Sequence, residues 1–221
     1  RLGVLGDWEN PYLTMASKFE ADIVRSLGKI VSKGYVNQGD KPVHWCVDCG
    51  SALAEAEVEY EDKISPSIDF GFPIDNKTVS TIFNKELDLP VYVASWTTTP
   101  WTVPGNVALT VNAEFDYCLV QVAKDSKDFC LIIGKDLVEA TLERIEVKDS
   151  KILGSCKGKK LESVDAKHPY LDRSSKFVLG DHVTTEVGTG IVHTSPGHGL
   201  EDYLVAKEYD LEILSPVKNN G

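Results

Sequence analysis

The hydrophobic positions of the chain follow two periods, helical near the start and strand-like through the rest. Between residues 12 and 35, apolar side chains recur at spacings of three and four, which predicts one amphipathic helix. These side chains are Phe19, Ile23, Leu27, Ile30 and Val31. Gly34 and the polar stretch 37–40 predict where that helix ends. In the stretch 54–60, small or apolar residues alternate with glutamates, which predicts a half-exposed strand.

Beyond residue 60, short apolar runs predict mainly strands with a few helices between them. We predict strands at 90–95, 117–122, 129–133, 177–179, 190–193 and 211–214, and helices at 137–145 and 200–209. Many short strands with few helices are typical of an α+β fold built on a β-barrel or a strongly curved sheet. We therefore expect a β-barrel-like domain with short peripheral helices, spanning 51–221, and an N-terminal helical connector, spanning 1–50.

Composition and charge narrow the function classes. The 221 residues are 42% hydrophobic and 26% charged, as in an ordinary globular protein with a core. No apolar run approaches the length of a membrane span, so no membrane partner is expected. The net charge is −11 and no basic cluster stands out, which argues against a self-sufficient nucleic-acid binder. The five cysteines, an odd number at low density, indicate reduced thiols and a cytoplasmic protein.

The first candidate site is the threonine-rich run from Trp96 to Asn106. Three consecutive threonines, Thr97, Thr98 and Thr99, follow a predicted strand and are closed by a proline. Each hydroxyl can donate one hydrogen bond and accept two. The prolines and β-branched residues restrict the loop, so the hydroxyls are partly preorganised. A plain strand end followed by a turn is the simpler interpretation, and the two tryptophans and two prolines of the run weigh against it.

The second candidate site is the glycine-rich run 188–203, in which a predicted strand leads through a turn into a helix. It brings two histidines, His193 and His198, together with Ser195 and Asp202. The histidine spacing does not fit a helical zinc motif, and the serine lacks the surroundings of a nucleophile elbow. Asp202 also suits an ordinary first helical turn. The residues alone therefore predict a hydroxyl-rich polar pocket with one well-placed carboxylate.

Cys46 and Cys49 form a C-x-x-C pair within the compact segment 43–50. Structural zinc needs four ligands, and this pair supplies two. The other three cysteines are widely separated, and His44 is too close to Cys46 to chelate easily. The pair is therefore interpreted as half of a zinc site, and a redox role lacks its usual βαβ context.

Taken together, the runs 97–106 and 188–202 resemble the two signature segments of the editing domain, the connective polypeptide insertion, of bacterial-type isoleucyl-tRNA synthetases. The opening 6–12 and the segment 42–59 resemble adjoining parts of the same insertion. Related valyl and leucyl enzymes typically carry Thr-Thr-Arg-Pro, whereas here Thr99 precedes the proline and Trp101 follows it. The chain starts at Arg1 and carries no charging-domain signature, so we expect a fragment that needs no ATP.

The resemblance implies hydrolysis of valyl-tRNA(Ile) by water in a pocket that excludes isoleucine by size. Discrimination by one methylene is worth only about 1–3 kcal/mol, a general limit for which enzymes of this type are a known example. Asp202 would bind the substrate ammonium, and the three threonines would bind the ester, the terminal ribose or the attacking water. His193 would shape the size limit. Trp101, Asn106 and Thr194 are predicted to be further substrate-binding residues.

The resemblance also implies the partners: the 3′ end of tRNA(Ile) and the rest of a parent synthetase, with the chain itself a monomer. In the family a second cysteine pair follows this domain, so zinc is expected only in the full-length enzyme, and editing needs no cofactor. Two other interpretations stay open. One is a non-catalytic module that positions the tRNA 3′ end, and the other is a zinc-ribbon interaction module resting on Cys46 and Cys49.

Overall fold

The chain divides into two compact units. The computed structural model describes Gly3 and residues 5–221, and it separates Arg1–Asp40 from Lys41–Gly221. The sequence placed a boundary near residue 50, and the structural division falls earlier. The segment 43–50, with its cysteine pair, therefore groups with the second unit.

The first unit contains helix α1 (Ser17–Ser32), which lies inside the predicted helical stretch 12–35. The backbone N–H of Gly34 donates to the carbonyl of Val31 at 2.9 Å, and Gly34 has φ +77°, so the predicted glycine ends the helix. Four of the five apolar side chains that predicted α1 are exposed, Ile23 at 55% and Leu27 at 54% among them, and Phe19 is partly buried. None of the described helices is long and apolar enough to cross a membrane.

Among the described residues, the second unit has a small two-stranded sheet and a large nine-stranded one. The small sheet pairs β1 (Trp45–Cys46) with β2 (Ser51–Ala52). The large sheet contains β3 (Ile68–Ile74), β4 (Val91–Thr97), β5 (Ala108–Val111), β6 (Asp116–Lys124), β7 (Lys127–Gly134), β8 (Asp149–Lys157), β9 (Asp165–Lys167), β10 (Ser174–Leu179) and β11 (Val192–Thr194). The unit's α-helices are α2 (Asn76–Phe83), α3 (Val138–Arg144) and α4 (Leu200–Glu208). The predicted α+β class is correct.

The large sheet is mixed and strongly curved. Its strand order is β11-β5-β10-β9-β3-β4-β7-β6-β8, with β4–β7 and β5–β10 parallel. Two hydrogen bonds bend the segment before β11 back onto β4: Ser95 Oγ donates to the Ile191 carbonyl at 3.3 Å, and Thr189 Oγ1 donates to the Ala94 carbonyl at 2.8 Å. Within the described residues no strand ladder joins β11 to β8, so the predicted barrel is present only as curvature.

Local sequence explains the clearest elements. Asp75 accepts a hydrogen bond from the backbone N–H of Thr78 at 2.9 Å and so caps α2. Asp125 and Ser126 both have positive φ, 50° and 60°, in the two-residue turn of the β6–β7 hairpin. Two residues of positive φ match the right-handed twist of the strands, which explains the polar turn that the sequence predicted there.

Buried aliphatic and aromatic side chains hold the sheet together. The main cluster packs Phe72, Val79, Leu119, Ile132 and Phe177 at 0% exposure. These residues come from four strands of the sheet and from α2, which covers one face. Burial of a side chain of this size stabilises the fold by about 1.5–3 kcal/mol. This burial therefore stabilises the sheet that carries the candidate site.

Two predicted strands are wrong. The stretch 54–60 forms a 3₁₀ turn at Glu55–Glu57, because the Glu57 carboxylate accepts a hydrogen bond from the Ala54 N–H at 2.8 Å. The stretch 211–214 has no strand, since Leu211 is held by side-chain packing against α4 and β10 and not by a ladder. The sequence also missed β3, β5, β8, β9 and α2, whose apolar runs are short or interrupted.

Candidate active site

A polar cavity of about 310 Å³ joins the two runs that the sequence singled out. One wall comes from the end of β4 and the turn after it, and the other from the glycine-rich segment, β11 and the start of α4. Thr97, Thr98, Thr99, His193 and Asp202 all line this cavity. The structure therefore brings together all four predicted catalytic residues and the predicted size-limiting histidine.

The three threonines have different surroundings. Thr97 is buried, and its hydroxyl oxygen accepts a hydrogen bond from the backbone N–H of Thr99 at 3.0 Å. Its hydroxyl also lies 3.2 Å from that of Thr99. Thr98 is exposed, and its hydroxyl has no hydrogen-bond partner among the described residues. Thr97 thus stabilises the turn, while Thr98 and Thr99 are exposed residues of the cavity lining.

His193 on β11 is buried and hydrogen-bonded at both ring nitrogens. The Asn106 amide nitrogen lies 3.0 Å from Nδ1, and the same amide donates to the Ala108 carbonyl at 2.8 Å. Thr102 Oγ1 lies 2.8 Å from Nε2 and donates to the Thr99 carbonyl at 2.8 Å. Because the Thr102 hydrogen is already used, the hydrogen bonds are all satisfied when the imidazole is neutral and Nε2 carries the proton.

The charge state of His193 follows from its burial. Burial, with smaller contributions from His168 and His198, lowers its pKa to about 4. Its ring is therefore neutral at pH 7 and cannot serve as a cation there. It forms a fixed, uncharged part of the cavity wall.

Asp202 supplies the negative charge of the cavity. It lies in the first turn of α4, and its Oδ2 accepts a hydrogen bond from the backbone N–H of Ser195 at 2.8 Å. Burial raises the pKa of this carboxyl, and the hydrogen bond from Ser195 and the charge of His182 oppose that rise. A half-buried carboxylate with one oxygen directed to the backbone can bind a cationic ligand group through the other.

Ser195 and His198 form a second hydrogen-bonded pair at the cavity. Ser195 Oγ lies 2.8 Å from His198 Nδ1, and both residues line the cavity. Gly105 packs tightly over the pair, since a Cβ there would lie 2.5 Å from Ser195 Oγ. The Trp101 ring meets the His198 ring edge-on, with centroids 5.5 Å apart. The threonine-rich and glycine-rich runs are therefore packed together around His198.

Two glycines let the glycine-rich run approach the sheet. Gly190 has φ +76°, and a Cβ there would lie 3.1 Å from the Gly134 Cα. The Gly134 N–H donates to the Thr189 carbonyl at 2.8 Å, and the Tyr117 hydroxyl donates to the Gly190 carbonyl at 2.9 Å. A side chain at residue 190 would strain the backbone and separate these partners.

Three predicted substrate-binding residues do not line the cavity. Trp101 is 57% exposed and packs on His198, Asn106 is buried behind His193, and the Thr194 hydroxyl pairs with that of Thr110. Their contacts support the residues that do line it. The sequence assigned no role to Trp96, Thr102, His182, Ser195 or His198, which line the cavity. Four of these lie inside the two runs, whereas nothing in the sequence pointed to His182.

The cysteine pair is separate from this cavity. Cys49 N–H donates to the Cys46 sulfur at 3.2 Å, and hydrogen bonds from Cys49 lower the pKa of Cys46. Across the described residues, no group of three His, Cys, Asp or Glu side chains is placed to hold a metal ion. The half zinc site at these two thiols therefore stays a prediction, and both thiols lie outside the cavity lining.

Known proteins resemble the chain in sequence and in fold. Residues 1–196 match the family model of class I tRNA synthetases (I, L, M and V). An isoleucine–tRNA ligase from Shewanella baltica is 54% identical over all of the chain, which spans only 24% of that protein. The crystal structure of GlLeuRS-CP1 superposes with a TM-score of 0.54 at 17% identity, covering 68% of each chain. The P. knowlesi cytosolic leucyl-tRNA synthetase editing domain gives 0.53 at 16%, covering 64% of this chain and 60% of that one.

Proposed function

This chain belongs to the class I tRNA synthetases and has the fold of their editing domains, and from this premise we propose that it hydrolyses valyl-tRNA(Ile). One observation carries the proposal: Thr97, Thr98, Thr99 and Asp202 line one cavity although Asp202 is far from the others in sequence. A volume of about 310 Å³ lies at the small end of the range for ligand sites, so an aminoacyl end fits and a duplex does not.

Asp202 is the residue that binds the amino group of the substrate. An aminoacyl ester carries an ammonium group at pH 7, and a partly buried carboxylate forms a strong charge-assisted hydrogen bond with it. The Ser195 N–H fixes one carboxylate oxygen, so the other is held in one orientation. The ammonium therefore places the ester carbonyl at a defined distance from the threonines.

The reaction itself is a direct attack by water. The water oxygen bonds to the ester carbon, the bond from that carbon to the ribose oxygen breaks, and the ribose oxygen takes up the proton that the water loses. Thr98 and Thr99, with their exposed hydroxyls, orient the water and the terminal ribose, whose free hydroxyl assists. No enzyme nucleophile is needed, so the acceleration comes from positioning and preorganised dipoles.

His193 sets the size limit in this proposal. Both of its ring nitrogens are bonded inside the protein, so its ring is held as a rigid wall of the cavity. A rigid wall excludes isoleucine because its additional methylene would overlap the wall. A hydrophobic pocket that fits isoleucine cannot exclude valine in this way, because valine loses only the contacts of one methylene.

The test is deacylation of valyl-tRNA(Ile) and isoleucyl-tRNA(Ile) by the purified chain, assayed in parallel at micromolar protein. We expect valyl-tRNA to be hydrolysed well above the spontaneous rate and isoleucyl-tRNA to remain intact. Equal hydrolysis of both would remove the size limit from the proposal. Absence of any acceleration, together with binding of the tRNA end, would favour a positioning module instead.

The zinc-ribbon alternative depends on Cys46 and Cys49 alone. Zinc measured at about one ion per chain would favour it, and the double change of both cysteines to serine would then unfold the second unit. We expect substoichiometric zinc and an unchanged deacylation rate, because the cysteines lie outside the cavity lining. The chain spans 24% of the isoleucine–tRNA ligase that it resembles, so these assays do not test the other activities of that protein.

A further inference from the structure

Three residues that line this cavity each have a buried ring nitrogen without a hydrogen-bond partner among the described residues. Among the residues that the structure describes, four buried side-chain nitrogen or oxygen atoms lack a hydrogen-bond partner, and three belong to residues lining it. They are Trp96 Nε1, His182 Nε2 and His198 Nε2. A buried polar atom that stays unpaired costs about 1–3 kcal/mol, so such a concentration marks a place where a ligand completes the hydrogen bonds.

His198 is the one whose proton can be placed. Its Nδ1 lies 2.8 Å from Ser195 Oγ, and Ser195 is 1% exposed with no other side-chain hydrogen bond in the described part of the chain. If Nδ1 donated, the buried Ser195 hydroxyl hydrogen would have no acceptor. The hydroxyl therefore donates to Nδ1, and the proton of the neutral ring lies on Nε2. Burial lowers the pKa of His198, which favours this neutral form.

The surrounding residues hold this ring in place. Gly105 lies against the same ring edge as Ser195, where a Cβ would be 3.0 Å from Cε1 and 3.1 Å from Nδ1, and Trp101 packs on the ring edge-on. Ser195 in turn is held through its N–H by Asp202. The Nε2–H donor and the Asp202 carboxylate are thus oriented by one short, continuous set of contacts.

From this geometry we propose that His198 is a further catalytic residue, which donates from Nε2 to the ester carbonyl oxygen of the substrate. This deepens the proposed function and rests on it. When water attacks, the carbonyl electron pair moves onto that oxygen, and the Nε2–H bond to the oxygen shortens and stabilises its negative charge. When the ester bond breaks, the electron pair returns to re-form the carbonyl, and His198 keeps its proton throughout.

A donor aimed at a developing charge acts mainly in the transition state. Removal of one such donor lowers kcat by about 10²-fold in hydrolases and changes KM little. Substitution of a residue that only supports the fold would lower the melting temperature. It would not lower kcat selectively while KM stays nearly unchanged. The split therefore separates the two roles.

The experiment compares His198→Gln with His198→Met in single-turnover and steady-state deacylation of valyl-tRNA(Ile). The two side chains are unbranched and similar in length, and only glutamine offers an N–H donor. We expect His198→Met to lose about 10²-fold in kcat with KM within a few-fold of the original. His198→Gln should recover at least ten-fold of that loss, which a residue acting as a general base would not allow.

Ser195→Ala is a partial control, because it leaves the imidazole of His198 in place and removes only the hydroxyl that favours the proton on Nε2. We expect it to lose only a few-fold in kcat. A loss as large as that of His198→Met would overturn the donor role, as would an original rate in His198→Met or no recovery in His198→Gln. Melting temperatures show which variants are folded, and if His198→Met is not, the same comparison uses His198→Leu. Absence of hydrolysis by the unsubstituted chain would instead overturn the proposed function, and this inference with it.

Discussion

The strand β11 and the turn that follows it carry one histidine each, and the two imidazole rings differ in their hydrogen bonding. On β11, His193 has a protein partner at both ring nitrogens, and Asn106 and Thr102 are themselves satisfied. In the turn, His198 has a partner at Nδ1 and none at Nε2 among the described residues. Two histidines five positions apart in one motif thus differ. We call His193 closed, because both of its ring nitrogens have a protein partner, and His198 open, because one of its ring nitrogens has none among the described residues.

This difference predicts that His193 and His198 have different roles, one structural and one in the proposed reaction. A polar group whose bonds are all made inside the protein has nothing left for a ligand, and its removal should lower stability first. A group with an open bond should affect rate more than stability. The same contrast holds between Thr97, which is bonded within the turn, and Thr98, which is not.

The largest effect should come from the open carboxylate. Asp202→Asn keeps an oxygen for the Ser195 N–H and loses the negative charge, so the substrate ammonium is left without its counter-ion. We expect deacylation of valyl-tRNA to fall by about 10³-fold, the scale of a broken buried charge pair. Glu201→Gln is the control, since that neighbouring acid is exposed and is not part of the lining of this cavity. Near-normal turnover by Asp202→Asn would contradict the assignment.

The closed group should respond in stability and in selectivity. His193→Ala removes the partner of both Asn106 and Thr102, and we expect the free energy of unfolding to drop by about 2–4 kcal/mol. The enlarged cavity should also begin to hydrolyse isoleucyl-tRNA. Urea unfolding and the paired deacylation assay measure the two effects. If isoleucyl-tRNA stays intact in a folded His193→Ala variant, His193 is not the size limit.

Lowering the pH should destabilise the protein through His193 at a higher pH than the one at which ordinary carboxylates are protonated. His193 titrates near 6.5 when unfolded and at about 4 when folded, so the unfolded chain binds the proton more readily between these values. Stability is therefore complete above that range and is lost as the pH falls through it, by about 2 kcal/mol between about pH 7 and about pH 5. His193→Gln should show a flatter dependence of urea midpoint on pH. An equal slope in both proteins would contradict the assignment.

The smallest effect should distinguish the two threonines. Thr98→Ala should lower kcat about ten-fold and leave the melting temperature unchanged, since the exposed hydroxyl has no partner among the residues that the structure describes. Thr97→Ala should lower the free energy of unfolding by about 1 kcal/mol, because the Thr99 N–H loses its acceptor. The two variants differ by one position and serve as each other's control. A reversed pattern would end the distinction between closed and open groups in this turn.

The sequence predicted those elements whose pattern is local. α1, α3, α4 and the β6–β7 hairpin follow from apolar periodicity and turn residues within a short stretch. β5 and β9 were missed because they are four and three residues long and depend on distant strands for their pairing. The predicted strand at 54–60 failed because one local hydrogen bond, from the Ala54 N–H to the Glu57 carboxylate, outweighed the alternation of side chains.

The candidate site divides in the same way. Sequence by itself determined which runs carry the chemistry, because threonines, histidines and a carboxylate concentrate in 97–106 and 188–203. Only the tertiary structure decided which groups are open to a ligand. Whether His193 or His198 keeps a free nitrogen depends on Asn106, Thr102, Ser195 and Gly105, which reach the two rings through the curvature of the sheet. Hydrogen-bond satisfaction is a property of three-dimensional neighbours, and no spacing along the chain encodes it.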